Sequence, residues 1–358
     1  MQAKLWALLG RKAGDNAQVL ALAEALGWPF EEKNIRAQPW EIIPHLLIGP
    51  TLAGIDRAAS SALAPPWPDL VISAGRRNEP VARWIRARTG GKAKLVHIGR
   101  PWAAPETWDL IVTTPQYFLP VAPNVLVNAL PLHRLTRESV AEDAARLTPR
   151  LSHLPRPWTT VLIGGDSGAF VFTPETGRRL AQGVNRLIRQ TGGSALVADS
   201  PRTPHAASQA FRAALDTPHE GYWWQGRASW PENPYRGFLG LADRFVVTGE
   251  SMSMLAEATA MARPLYVFDP SEPGRWWLRA HNYGSKPLSH RFAMRLAPLR
   301  MRRDVGRIQA ALVQDGRARW LDDAPDLIAA DEGWFNPATS DPGAGPRRAA
   351  DRVRALFA

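Results

Sequence analysis

Short apolar runs, each closing on Gly, Thr or Asn, alternate with helix-like stretches through both halves of this chain. That alternation constrains the fold most. Strands that are apolar along their whole length are buried on both faces, and parallel neighbours need a helical crossover, so the pattern predicts an α/β protein with parallel sheets. In the first half, strands are predicted at LWALLG (5–10), DLVISAG (69–75), KLVHIG (94–99), DLIVTT (109–114) and NVLVNA (124–129), with helices over 16–26 and 80–89. A Pro-rich passage, Leu151 to Trp158, separates this half from a second one. The second opens on TTVLIGGDSGAF, continues through a helix over 174–190, and carries the runs SALVADS, GYWWQG, RFVVTG and PLYVFD. At 358 residues the chain exceeds what one core usually serves. The expected architecture is two Rossmann-like domains facing a cleft, over 1–155 and 156–330. Residues 331–358 form an irregular loop and a last helix, which can pack back on the first domain.

Composition narrows the function. Cysteine is absent, which removes disulfides, thiolate metal sites and cysteine nucleophiles together. No apolar run approaches the roughly 18 residues of a membrane span, and the first residues turn polar too early for a signal peptide, so a cytoplasmic protein is expected. The net charge of +11 comes mostly from arginine, whose planar fork suits phosphate and carboxylate. The basic residues are too scattered for a nucleic-acid interface, with one denser stretch from Arg291 to Arg307. That stretch reads either as a solvated helix face or as peripheral contact with anionic lipid, which would place the protein at the inner membrane. The histidines have no metal-ligand spacing, and no metal is predicted. His97, on an apolar run, reads as a core residue.

The sharpest local signal is VLIGG running into Asp166, Ser167 and Gly168. Gly164 and Gly165 let backbone approach a ligand closely at the start of a helix, where phosphate is favoured; tight αβ turns also use glycine for purely structural reasons. The lysine of a Walker A motif is missing, as is the spacing of a dinucleotide GxGxxG. The second signal is RFVVTGESMSMLAEATAMARPLYVF. Thr248 ends its strand, and Glu250, Ser253 and Glu257 stand at i, i+3 and i+7, with Ser251 at the helix start and Met254 beside the stripe. A carboxylate one to two turns into such a helix can accept both hydroxyls of a ribose while the serines reach phosphate. The plainer alternative is a capping serine and a solvated glutamate. Arg202 and Arg275, in loops, are placed to neutralise a diphosphate, although loop arginines also decorate surfaces. Backbone groups of Trp224, Gln225 and Gly226 can read the edge of a base. In the first half, Gly14, Asp15 and Asn16 occupy the first strand-to-helix loop, and Arg76 and Glu79 the loop after the next strand. Asp15 is the first candidate for a general base and Glu79 the second, although an Asp before a helix is also what a cap looks like.

Taken together, the order and spacing of the two second-half signals resemble the donor half of GT-B glycosyltransferases. The enzyme that makes the peptidoglycan lipid precursor has a similar glycine loop, serine-containing turn and ribose-binding helical glutamate, matched here by Gly164, Gly165 and Ser167, by Ser251 and Ser253, and by Glu257. The chain also resembles, over most of its length, the mitochondrial-fission Elm-type family, whose bacterial members look like GT-B transferases. The carrying strings are GRKAGDNAQVLALAEALG, VISAGRRNEPVARWIR, IGGDSGAF and VTGESMSMLAEA. The resemblance implies a glycosyltransferase that takes a nucleoside diphosphate sugar as donor, needs no cofactor or metal, and uses a glycan or lipid-linked hydroxyl as acceptor. A nucleotide-sugar 2-epimerase and a non-catalytic, membrane-associated interaction protein are the alternatives on the same fold.

Overall fold

A computed structural model of the chain describes all residues except 1–2, 42, 44, 46, 48, 168–169, 227–232, 272–294, 324–333 and 336–342. Of the positions singled out above, Gly168, Arg275, residues 291–294 of the basic stretch and most of the loop after Ala330 lie outside the described residues. The contacts divide the chain into two compact units, one of Met1–Arg134, Pro298–Arg303 and Gly343–Ala358, the other of Leu135–Ala297 and Asp304–Pro342.

Unit 1 is a six-stranded sheet of β1 (Leu5–Leu9), β2 (Phe30–Asn34), β3 (Leu70–Ala74), β4 (Lys94–Ile98), β5 (Leu110–Thr113) and β6 (Val125–Val127). Its order is β2-β1-β3-β4-β5-β6 and every pairing is parallel. Every residue of β1 and β3 is buried, as continuous apolar runs with helices over both faces require. One face packs on α1 (Ala13–Leu26). The other packs on α2 (Glu79–Arg88), whose Val81, Ala82 and Ile85 join Trp6, Leu8 and Val71. β2 escapes a hydrophobicity reading because FEEKN is an edge strand with mostly exposed side chains.

Unit 2 holds β7 (Trp158–Leu162), β8 (Ser194–Ala198), β9 (His219–Tyr222), β10 (Arg244–Thr248), β11 (Leu265–Phe268) and β12 (Arg319–Trp320). The order is β12-β11-β10-β7-β8-β9, again all parallel. Counted from its own first strand, this is the 3-2-1-4-5-6 order of the dinucleotide-binding fold. The helices are α3 (Arg137–Leu147), α4 (Pro174–Thr191), α5 (His205–Ala214), α6 (Tyr235–Leu241), α7 (Met252–Ala260) and α8 (Gly306–Gln314). Each strand order reverses direction once, between β1 and β3 in unit 1 and between β7 and β10 in unit 2. Ligands of open α/β sheets bind outside the carboxyl ends of strands at such a reversal, so topology alone marks one crevice per unit.

One segment sits differently from the domain limits read in the sequence. α3, placed there in the first domain, packs on α6 in unit 2: Gly240 brings the backbones together so closely that an added Cβ would lie 2.9 Å from the Ala144 Cβ, and Arg236 Nε donates to Asp143 Oδ2 at 2.7 Å. The last helix, α9 (Ala344–Arg354), lies in unit 1. Its Ala349, Ala350 and Val353 complete the core around Leu22 and Leu26, and Arg354 closes the carbonyls of Ala25 and Leu26 at 3.0 and 3.2 Å.

Candidate functional site

At the switch point of unit 2 the chain leaves β7 through Gly164 and Gly165 and leaves β10 through Gly249, Glu250 and Ser251. A Cβ on Gly164 would overlap Glu250 Oε1 at 2.2 Å and the Ser251 Cβ at 2.6 Å. Gly165 has φ +100° and faces backbone, with Arg202 O at 2.3 Å from its hypothetical Cβ. The glycines therefore let the loop after β8 cross directly over the loop after β7. That loop is fastened by Ser200 and Thr203, whose hydroxyls donate to the carbonyls of Gly164 and Ile163.

The backbone amides of the glycine turn are already used inside the protein. Gly164 N–H donates to Thr248 Oγ1 at 2.8 Å, Asp166 N–H to Arg202 O at 3.1 Å and Ser167 N–H to Phe170 O at 3.1 Å. The turn thus supplies close approach, and other groups remain for a phosphate. Ser251 stands at the N-cap of α7 without capping it with its side chain; its hydroxyl accepts instead from Arg202 Nη2 at 3.1 Å. Arg202 Nη1 is held by Asp166 O at 2.9 Å. The result is a half-buried guanidinium beside a helix N-terminus, both of which attract anions.

Glu250 lies under this arrangement rather than on the α7 stripe, because it precedes the helix. It is 1% exposed, accepts from Thr248 Oγ1 at 3.0 Å through Oε1, and has no partner for Oε2 among the described residues. Burial pushes its carboxyl up to about 7, against the pull of Arg202. Ser253 is exposed and Met254 half-buried. Glu257, half-buried one turn further on, is likewise pushed up to about 7 by burial. The Tyr235 hydroxyl of α6 donates to its Oε2. At the end of β8, buried Asp199 accepts from the Trp224 amide at 2.5 Å and the Ser208 hydroxyl at 2.7 Å, and burial raises its carboxyl. Asp199 fixes the Trp224–Gly226 strand end, where Gln225 is exposed and Gly226 has φ +94°. Sequence reading misses Asp199 and Tyr235: one sits inside an apolar run's end, and the other is brought to Glu257 only by tertiary packing.

A raised carboxyl pKa couples to stability. The unfolded chain ionises Glu250 near its ordinary 4.5, so the folded state binds the proton more tightly, and its contribution is complete below that value and lost as pH rises through about 7. Glu250→Gln should therefore flatten the pH dependence of unit 2 melting between pH 4.5 and 8 by about 3 kcal/mol. Calorimetric scans across that range check it; parallel curves for variant and wild type would contradict it.

In unit 1, the loops after β1 and β3 meet at the corresponding reversal. Asn16 closes the first loop on itself, accepting from Gly10 N–H at 2.8 Å and donating to Gly10 O at 2.9 Å. Gly14 lies within α1, its carbonyl accepting from Gln18. Asp15 rests against the Gly75 turn, with Oδ2 at 2.8 Å from a Cβ there, and keeps an exposed face. Glu79 does not: it is fully buried, with Trp102 and Ala103 amides donating at 2.8 and 2.6 Å and His45 at 3.5 Å. Burial pushes its carboxyl up, but the His45 contact, the nearby His97 and the two amides outweigh that and hold it low. Its geometry is that of an anchor for the loop after β4. Arg76 is engaged too, donating to Glu41 at 2.8 Å and lying 5.0 Å from the Trp102 ring. His97 is fully buried, driven down to about 4 by burial, and packs on Trp108. Among the described residues, no group of three or more His, Asp or Glu is placed to hold a metal ion, and no helix is long and apolar enough to cross a membrane.

The model of the family described as Mitochondrial fission ELM1 matches residues 13–355. The chain belongs to that family. The mitochondrial fission protein ELM1 of Arabidopsis thaliana is 24% identical over 236 residues, spanning 60% of this chain and 54% of that protein's length. Among solved structures, the UDP-GlcNAc 2-epimerase of Neisseria meningitidis bound to UDP-GlcNAc superposes with a TM-score of 0.53 at 11% identity, covering 99% of each chain. The S. aureus MnaA–UDP co-structure gives 0.51 at 10% identity, covering 99% of this chain and 96% of that one. At these identities the likeness concerns the fold, which is GT-B-like: two parallel α/β units of Rossmann type in one chain.

Proposed function

We propose that this family member is a glycosyltransferase that moves a sugar from a nucleoside diphosphate sugar to a hydroxyl of a glycan or lipid-linked acceptor, without a metal. The observation that carries the reading is Arg202, fixed between Asp166 O and Ser251 Oγ at the β7/β10 switch point beside the open N-terminus of α7. As the sugar leaves, negative charge grows on the diphosphate. A fixed guanidinium and a helix N-terminus stabilise that charge without reorganising. In this reading Glu257 takes the ribose hydroxyls, with Tyr235 holding its other oxygen, and the Trp224–Gly226 strand end meets the base. Asp15 in unit 1 removes the acceptor proton in the inverting case. That the neighbouring MnaA structure holds UDP supports a uridine nucleotide as the first ligand to try.

The test is a panel of nucleoside diphosphate sugars incubated with the full chain, with and without EDTA, and the products separated. Release of free sugar and nucleoside diphosphate from one donor, undiminished by EDTA, is the expected result. Interconversion of two intact nucleotide sugars would make the protein a 2-epimerase. Turnover that stops in EDTA and returns with magnesium would overturn the metal-independent mechanism.

A further inference from the structure

The described part of the dense basic stretch, 295–307, does not form one helix face: it holds a short turn at Leu299–Met301 and then enters α8 at Gly306. Its part Pro298–Arg303 crosses to unit 1, and the short turn Leu299–Met301 lies over the carboxyl ends of β4 and β5. Arg100, just after β4, reaches it: Nη1 donates to the carbonyls of Met301 and, at 3.1 Å, Arg302. Arg303 pairs with Tyr117 across an antiparallel bridge and donates from Nε to buried Gln116 at 2.6 Å. The Arg100 guanidinium lies 5.5 Å from the Tyr117 ring. Two segments about two hundred residues apart in sequence thus bring Arg100, Arg300 and Arg303 together beyond the carboxyl ends of β4 and β5.

Such a cluster opposes itself. Burial holds Arg100 below the ordinary arginine range; the neighbouring Tyr117 opposes this, and the charges of Arg303 and Arg300 push further down. The acceptors Arg100 does have are uncharged carbonyls, and among the described residues it makes no ion pair. An arginine offers five N–H donors, and the contacts to Met301 and Arg302 use Nη1 alone, so Nε and Nη2 remain for another acceptor. The chain has positioned a partly buried fork and left most of it unspent. A dianionic phosphate matches that fork in shape and cancels the mutual repulsion.

We propose that Arg100, Arg300 and Arg303 form a phosphate-binding site in unit 1, separate from the nucleotide site of unit 2. Calling that phosphate part of the acceptor rests on the transferase reading; its binding does not. Phosphate carried by a soluble glycan and phosphate carried by a lipid offer the same chemistry to this site, and two arms of one experiment separate them.

In the first arm, inorganic phosphate is titrated into the full chain, into Arg100→Met and into Arg300→Glu. Arg300→Glu alters a half-buried side chain of a short turn, outside the sheet core, and keeps the test valid should Arg100→Met unfold. The expected result is a loss of about tenfold or more in phosphate affinity in each variant, with UDP affinity unchanged. In the second arm, the same proteins are sedimented with phosphatidylcholine vesicles with and without phosphatidic acid. Binding that needs phosphatidic acid and is lost in Arg300→Glu assigns the site to lipid-borne phosphate, and soluble binding alone assigns it to a soluble one. Phosphate and vesicle binding that both variants retain would overturn the site. Failure of UDP to bind any of the proteins would count against the transferase reading and leave this result intact.

Discussion

Gly165→Ala is expected to destabilise unit 2 by about 2–5 kcal/mol and to abolish nucleotide binding. The reason is local and steric. At φ +100° an L side chain is strained whatever the space, and here there is none: the added Cβ would fall 2.3 Å from Arg202 O and 2.6 Å from Thr203 Cα. Backbone atoms cannot step aside as a flexible side chain does. Relief requires moving the loop after β8, and with it the Arg202 guanidinium. Gly226→Ala separates strain from overlap, because Gly226 has φ +94° with nothing within 4 Å of its hypothetical Cβ. That variant should lose only about 1–3 kcal/mol. Calorimetric melting and UDP titration of both variants check the pair. A Gly165→Ala protein that melts and binds like the wild type would show that the crossing of these loops is not what builds the site.

Much of this was legible in the residues and some was not, for identifiable reasons. Fully buried parallel strands such as LWALL, LVISA and RFVVT announce themselves because burial on both faces forbids polar interruptions. FEEKN does not, since an edge strand keeps only part of its surface in the core. The two loops around Gly164 and Ser251 were legible as a pair because glycine and small hydroxyl residues after apolar runs mark where a sheet meets a ligand. Their wiring was not. The helical spacing of Glu250, Ser253 and Glu257 suggested one stripe, whereas α7 begins only at Met252, which sends Glu250 beneath Gly164 and leaves Ser253 outside. Glu79 looked like an open carboxylate in a polar loop; only the tertiary structure shows the Trp102 and Ala103 amides that enclose it. That Arg300 and Arg303 of the basic stretch meet Arg100 depends on the chain's return to unit 1, which no local pattern shows.

The second large effect concerns Glu257. Its Oε2 is held by the Tyr235 hydroxyl, so replacing it with alanine would remove the proposed ribose contact and strand a phenol as well. Glu257→Gln keeps an acceptor for Tyr235 while removing the charge, and it is the cleaner variant. Because burial holds the wild-type carboxyl up to about 7, the comparison belongs at pH 8, where the folded protein is mostly ionised. There, losing a charged acceptor for the ribose hydroxyls should weaken nucleoside diphosphate binding by about 1.5–3 kcal/mol, which is roughly tenfold to a hundredfold in affinity. Lowering the pH through 7 should erode the advantage of the wild type over Glu257→Gln as Glu257 takes up a proton.

The claim on which the rest depends is that unit 2 holds a nucleoside diphosphate through its ribose and diphosphate at the β7/β10 switch point. Isothermal titration of UDP and 2′-deoxy-UDP into the wild type and Glu257→Gln at pH 8 tests it most directly, because the two differences form a closed cycle. The account predicts that the wild type binds UDP more tightly than the deoxynucleotide by about tenfold or more, and that the variant barely distinguishes them. Equal discrimination by both proteins, or no binding of UDP by the wild type, would contradict it.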